Sequence, residues 1–231
     1  MSSNTYPLIA KEGWSVLATL IIGIILSYFY LGITLTTITV IILCFIIFIL
    51  RDPVRIVPSS PLALVSPVHG KIVSIKAVDD PWVSRKAMRI RIRMSVFDIY
   101  SLRSPIEGKI MEHWPLRPTE EFVDRKFVFW VKTDEDDDVA TVIHLNIWTA
   151  INFSFYSHSG ERIGQGQRCG FLKFGGLIDV FVPENCKINI EPGQYVNSGS
   201  DILAYLVHTD GASAIHNDDK QDDDKLVDPA Y

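Results

Sequence analysis

The sequence predicts a mainly β fold: a compact β barrel or sandwich domain carrying an N-terminal transmembrane or re-entrant helical hairpin. Three observations predict it. The apolar residues are concentrated between Val16 and Leu50. Beyond Ser66 the chain breaks into short β-rich runs punctuated by Gly and Pro. No stretch after Arg55 has the periodicity of a long amphipathic helix. A chain of 231 residues is the size of one globular domain with appendages. The reading divides it into an N-terminal segment (1–15), a membrane hairpin (16–50), a β domain (51–209) and a disordered acidic tail (210–231).

The hairpin comes first. Val16 to Leu31 is apolar apart from Thr19, Gly23, Ser27 and the tyrosines, Gly32 interrupts it, and a second apolar run continues from Ile33 to Leu50. Each run is slightly short of the ~20 residues a spanning helix needs. Two tightly joined helices, or a shallow re-entrant hairpin, fit that length. No cleavage-site pattern follows the first run, which argues against a secretory signal. Lys11 precedes the pair and Arg51 and Arg55 follow it. Basic flanks at both ends place the N-terminus and the main domain on the cytoplasmic side.

The strands follow. Met88 to Met94 alternates arginine with an apolar residue, as a strand with one buried face does. Lys126–Lys132, Val139–Ile147, Ile151–Tyr156 and Leu177–Val182 are further β-rich runs. The segments Ser66–Ile72 and Ser104–Ile110 share the pattern S-P-[VI]-x-G-K-I, which reads as a repeated turn geometry feeding a strand. From Asp210 the chain is acidic and poor in large apolar residues, so it cannot offset its ordering entropy.

Composition excludes several functions. A net charge of −5 gives no reason to expect nucleic acid. Cys44, Cys169 and Cys186 have neither a disulfide-framework nor a metal-ligand spacing, and the six histidines show no ligand pair. No metal is expected. The Arg89, Arg91, Arg93 stripe suits either a solvated strand face or anionic headgroups, which attract each basic residue by about 1 kcal/mol close to the surface.

The run Gly166-Gln167-Arg168-Cys169-Gly170-Phe171-Leu172-Lys173-Phe174-Gly175-Gly176 resembles the G-Q-R-F-G-M-I-R-F-G-S self-cleavage segment of the short, prokaryotic-type phosphatidylserine decarboxylases. Other landmarks are similar in order and spacing. They are Ile9–Trp14, Phe48–Arg55, Ser66–Ile72, Met94–Pro105 and Gly193–Ala204, so the resemblance covers the chain from about Ile9 to Ala204. It implies a membrane-associated lyase of phospholipid metabolism whose cofactor, a pyruvoyl group, forms from the chain's own serine.

The departures from the family pattern fall at its reactive positions. Gly176 stands at the serine, His69 at the aspartate of S-P-A-D-G, and Tyr100 at the histidine of D-V-H. Arg103 fits the pattern and is the candidate substrate-binding residue. Without a Cβ, position 176 supports neither the serine's attack on the preceding carbonyl nor the later elimination, and an activated nucleophile is what this chemistry needs. His69 retains a base with an unperturbed pKa of about 6.5, and a His69–Tyr100 pair is able to hydrogen-bond. Tyr100 substitutes poorly, its phenol titrating near 10.

Three readings follow. The first is a non-catalytic, membrane-anchored relative binding phospholipid or a protein partner, with no pyruvoyl cofactor expected. The second is an active decarboxylase whose pyruvoyl group forms elsewhere, for example at Cys169, Ser198 or Ser200. The third is a structural membrane-associated protein.

Overall fold

In a computed structural model the described residues are 13–207, apart from 31, 54, 59, 61, 116–124, 146–148 and 150–152. The expected acidic tail, nearly all of the N-terminal segment and Ile151-Asn152 lie outside them.

Two helices, α1 (Trp14–Tyr30) and α2 (Ile33–Ile49), pack side by side as the predicted hairpin. The strands are β1 (Ala63–Val65), β2 (Gly70–Asp80), β3 (Arg85–Met94), β4 (Ser101–Arg103), β5 (Gly108–Pro115), β6 (Arg125–Lys132) and β7 (Asp138–Leu145). They continue as β8 (Phe153–Phe155), β9 (Arg162–Ile163), β10 (Arg168–Leu172), β11 (Gly176–Pro183), β12 (Lys187–Ile188), β13 (Tyr195–Val196) and β14 (Ile202–Tyr205).

Eight strands form one curled, half-barrel sheet in the order β13-β2-β3-β11-β7-β6-β5-β9. Two three-stranded sheets, β1-β14-β12 and β4-β10-β8, complete the mainly β domain. The alternation read in β3 is realised: Ile90, Ile92 and Met94 are buried, while Arg89, Arg91 and Arg93 point the other way. The main core gathers Ile72, Ile90, Ile92, Ile110, Phe129, Ile143, Ile178 and Leu172 from both kinds of sheet.

The sequence repeat is an approximate two-fold relation in space. Val65 N–H donates to Pro105 O (2.8 Å), and Arg103 N–H donates to Pro67 O (2.9 Å), so each Ser-Pro turn pairs with the other. Ser66 Oγ caps Val68 O and Ser104 Oγ caps Ile106 O, both at 2.7 Å. Ser66 and Ser104 bond in the same way to the Gly199–Asp201 and Gly166–Gln167 turns. Gly70 and Gly108 open β2 and β5 hard against the carbonyls of Arg93 and Lys132, where a Cβ has no room. The repeat is thus the interlock between two halves of the domain.

The hairpin expectation needs correction. Both helices form, without a charged residue in either, and most of their large apolar side chains are exposed. Yet no helix among the described residues is long and apolar enough to cross a membrane. Each has 17 residues, and at ~1.5 Å per residue that rise stops short of a ~30 Å hydrocarbon core. Leu17, Ile46 and Ile49 instead pack on the edge of the domain core, which Leu50 enters.

After the hairpin, Asp52 is buried between two arginines. Its Oδ1 lies 3.4 Å from Arg103 Nη2 and its Oδ2 lies 3.4 Å from Arg168 Nη1. This three-charge cluster ties the post-hairpin segment to β4 and β10. Removing one partner of a buried pair costs far more than the pair itself contributes.

Candidate functional site

The residues singled out at the family's reactive positions converge on the turn between β3 and β4. Gly176 opens β11 opposite Met94, the last residue of β3. The turn that leads into it is sharp: Phe174 and Gly175 both take positive φ, 69° and 75°. A Cβ on Gly175 would stand 2.8 Å from Met94 O and 3.1 Å from Ser95 O, so only glycine fits there. Phe174 pays the left-handed cost without that exemption, and its exposed ring leans toward Tyr100, 6.4 Å between centroids. At position 176 itself, a Cβ would meet Leu172 Cδ2 at 3.2 Å and His144 O at 3.6 Å. That space is tight but lined on one side by a movable leucine.

Tyr100 is buried, its ring edge-on to Phe171 at 5.9 Å, and its hydroxyl donates to Val96 O at 2.5 Å. Burial raises its phenol above the ordinary value of 10.0. His69 follows the first Ser-Pro turn, and its Nε2 lies 3.7 Å from Asp98 Oδ1. Its ring packs on Tyr195, 5.5 Å between centroids. Burial lowers His69 below 6.5, Asp98 opposes that shift, and Arg55 and Arg51 reinforce it. His69 is therefore neutral at pH 7. It meets Asp98 and Tyr195, whereas the Tyr100 hydroxyl is spent on a backbone carbonyl, so the expected His69–Tyr100 partnership is replaced.

Asp98, the hub of this site, was not singled out in the sequence, nor was Tyr195. The Asp98 carboxylate accepts hydrogen bonds from Ser95 N–H at 2.7 Å and from Tyr195 O–H at 3.0 and 3.1 Å. Asp98 was visible in the S-V-F-D-I-Y run, but nothing local signals that β13, almost a hundred residues away, supplies its partner. Arg103 lies elsewhere. It is buried against Asp52, and its Nη1 donates to Gly166 O at 3.1 Å. These contacts hold the Gly166 turn in position.

The alternative nucleophiles are all engaged. Cys169 is fully buried, which pushes its thiol well above the range in which a thiolate forms. Ser198 Oγ is buried and bonds Pro67 O at 3.1 Å, and Ser200 Oγ bonds Asp201 at 3.3 Å.

Apolar and aromatic side chains are exposed at the site, one of them beside the hairpin. Val96, Phe97, Phe174 and Tyr195 are exposed, and the Phe97 ring stands 6.5 Å from Phe45 of α2.

The phosphatidylserine decarboxylase family model matches residues 42–204. The phosphatidylserine decarboxylase proenzyme of Nitrosomonas eutropha is 32% identical over 218 residues, 88% of this chain and 99% of its own length. That of Nitrosomonas europaea is 31% identical over 86% of this chain and 95% of its own length. That of Paraburkholderia xenovorans is 31% identical over 87% and 98%. Among solved structures, glucose permease IIA from Mycoplasma capricolum is 16% identical with a TM-score of 0.42, covering 62% of this chain and 94% of that one, too weak a likeness to bear on fold or function. Matched along most of its length to these proenzymes, the chain belongs to the phosphatidylserine decarboxylase family.

Proposed function

We propose that this chain is a membrane-anchored, non-catalytic member of its family that binds phospholipid, or a protein partner, at the retained site. The observation that carries the reading is Gly176. The turn that presents the family's scissile bond is kept, with Phe174 and Gly175 at positive φ, but the residue after it has no Cβ. A pyruvoyl group keeps its carbonyl on the Cα of the residue that made it and needs a Cβ to become its methyl, so position 176 does not fit the group. The substitutions at His69 and Tyr100 and the engagement of Cys169, Ser198 and Ser200 support the same reading.

Phospholipid is the proposed ligand because of the side chains exposed at the site. Val96, Phe97 and Phe174 are exposed, and Phe97 meets Phe45 of a hairpin whose outward side chains are mostly apolar. Arg55 and Arg51 act electrostatically on His69 within the site. Apolar contact with acyl chains and basic groups near a phosphate are the two components of lipid-surface recognition. The hairpin then lies in or re-enters one leaflet, with the β domain on the cytoplasmic side.

Intact mass of the purified full-length chain tests the catalytic part. An unbroken 26.1 kDa polypeptide is expected. Cleavage into two chains, the second beginning with a pyruvoyl group, establishes the active-decarboxylase reading instead. Vesicle flotation with and without aminophospholipid tests the binding part. Indifference to headgroup would leave a structural membrane-associated protein.

A further inference from the structure

The outward face of β2 and β3 is basic, and strand register arranges the charges in rows. Arg89, Arg91 and Arg93 share that face of β3, with Lys76 opposite Arg89, Ser74 opposite Arg91 and Lys71 opposite Arg93 on β2. Only the middle row is neutralised. Arg91 grips both oxygens of the buried Asp179 through Nε and Nη2 at 2.6 Å each, and His144 Nε2 lies 3.0 Å from the same carboxylate. Burial alone would raise the Asp179 carboxyl, but these donors outweigh it and hold it at about 2. The three side chains border a groove on this face of the sheet.

The two outer rows differ. Among the described residues, Lys71, Lys76, Arg89 and Arg93 make no ion pair, and the buried Nε of Arg89 has no acceptor. Each row sets two cations directly across a strand pair, roughly 5 Å apart at Cβ, where like charges repel. On β6 and β9, by contrast, Lys132 pairs with Asp136 at 2.9 Å and Arg162 pairs with Asp134.

The chain carries a matching anion of its own. From Asp210 to Tyr231 it holds seven aspartates and two lysines, an excess that equals the net charge of the whole protein, −5. These residues lie outside the described ones, but the point from which they leave is fixed. Val207 O accepts from Asn185 Nδ2 at 3.0 Å. Asn185 is two residues beyond Pro183, which pairs with Ala87 of β3, and Arg89 is two residues further along that strand. At ~3.4 Å per residue and ~5 Å between paired strands, this path places Arg89 within about 25 Å of Val207. Asp218 is eleven residues past Val207, and such a length of chain reaches up to about 36 Å.

Spacing agrees as well. The acidic run has two groups, Asp218-Asp219 and Asp222-Asp223-Asp224, separated by Lys220-Gln221. An extended chain would start these groups about 14 Å apart, and the two outer cation rows, four residues apart on β3, are separated by about the same distance. The interruption falls at the row that Asp179 already neutralises.

We propose that the acidic run Asp218–Asp224 docks on the Lys76–Arg89 and Lys71–Arg93 rows of its own chain, as an intramolecular strap that closes this face to other polyanions. Tethering favours this occupant over a free one, because a segment of the same chain meets the face at an effective concentration on the order of millimolar. Lys71 also stands opposite Tyr195 of β13, so the strap ends beside the candidate site. The contact does not depend on whether that site binds phospholipid.

Carbodiimide cross-linking of the full-length protein at low salt, read by peptide mass spectrometry, tests the proposal. Amide links from Asp218–Asp224 to Lys71 and Lys76 are expected, with a yield that about tenfold dilution leaves unchanged. The yield should fall at least about fivefold near 0.5 M sodium chloride, where screening shortens the reach of exposed charges to a few ångströms. Lys109, the exposed counterpart of Lys71 in the second Ser-Pro-x-x-Gly-Lys turn, is the internal control and should stay unlinked. Arg89→Gln combined with Arg93→Gln keeps both lysines and should lower the yield about fivefold, the size of two exposed ion pairs. Absence of links to Lys71 and Lys76, equal linking to Lys109, or a yield that falls on dilution overturns the proposal. Phosphatidylcholine vesicles containing phosphatidylglycerol then read the consequence. Replacing the five aspartates of the run by asparagine in the full chain should raise vesicle binding several-fold, and adding Arg89→Gln and Arg93→Gln should abolish the gain. A gain that survives the loss of both arginines overturns the closure of this face by the strap.

Discussion

The turn before Gly176 offers a sharp test of how this scaffold is held. Gly175→Ala adds one methyl at φ 75°, and that methyl would sit 2.8 Å from Met94 O and 3.1 Å from both the carbonyl carbon and oxygen of Ser95. The left-handed backbone costs an alanine about 1–2 kcal/mol. The obstructing atoms are backbone, at the end of a strand paired on both sides by β2 and β11, so they cannot retreat as a side chain would. Overpacking of that kind adds about 1–3 kcal/mol. The lower entropy of an unfolded alanine returns roughly 0.4–1 kcal/mol. A net loss of about 2–4 kcal/mol remains, a fall in midpoint on the order of 10 °C for a domain of this size. Gly160→Ala is the matched control, since Gly160 has φ 87° but nothing within 4 Å of its Cβ position; it should lose only the left-handed backbone cost less the same entropic return, about 1 kcal/mol. Urea unfolding of both variants against the parent measures the difference. Equal losses would refute the reasoning, because the contact with β3 would then carry no energy.

Other outcomes are expected from the charged clusters. Asp52→Asn removes the carboxylate charge shared by Arg103 and Arg168, both buried, and should cost about 3–5 kcal/mol in chemical denaturation; a loss under about 1 kcal/mol, the size of an exposed pair, would show that the cluster is not desolvated. Asp179 has a folded-state pKa lowered from 3.8 to about 2, so its contribution is complete above pH 3.8 and is lost as pH falls toward 2. Discounted for the partial exposure of Arg91, that contribution is about 1–2 kcal/mol, and Asp179→Asn should flatten this segment of the acid-unfolding curve. His69 is lowered below 6.5, so the fold should lose stability as pH drops below that value, and His69→Asn should remove this dependence; parallel pH profiles for parent and variant would contradict the burial of His69.

The alternation of Met88 to Met94 announced β3 correctly because side-chain direction in a strand is a local property with a period of two. The same locality made the hairpin legible, since helix formation needs only neighbours three and four residues away. It did not settle the membrane question, because two 17-residue helices are read against bilayer thickness rather than against sequence pattern. Arg103 was drawn from a motif as a substrate contact, but its partner Asp52 is 51 residues distant, and no local pattern reports such a pairing.

By itself, then, the sequence determined the family, the mainly β class, the repeated Ser-Pro-x-x-Gly-Lys turns and the missing Cβ at Gly176. These are properties of composition, order and single side chains. Only the tertiary structure decided that the two turns interlock, that His69 meets Asp98 and Tyr195 rather than Tyr100, that Cys169 is sealed from solvent, and that Arg91, Asp179 and His144 frame a groove. The reason is strand register. Antiparallel pairing brings residues tens of positions apart onto one face, and a shift of a single residue would turn every one of those side chains to the other.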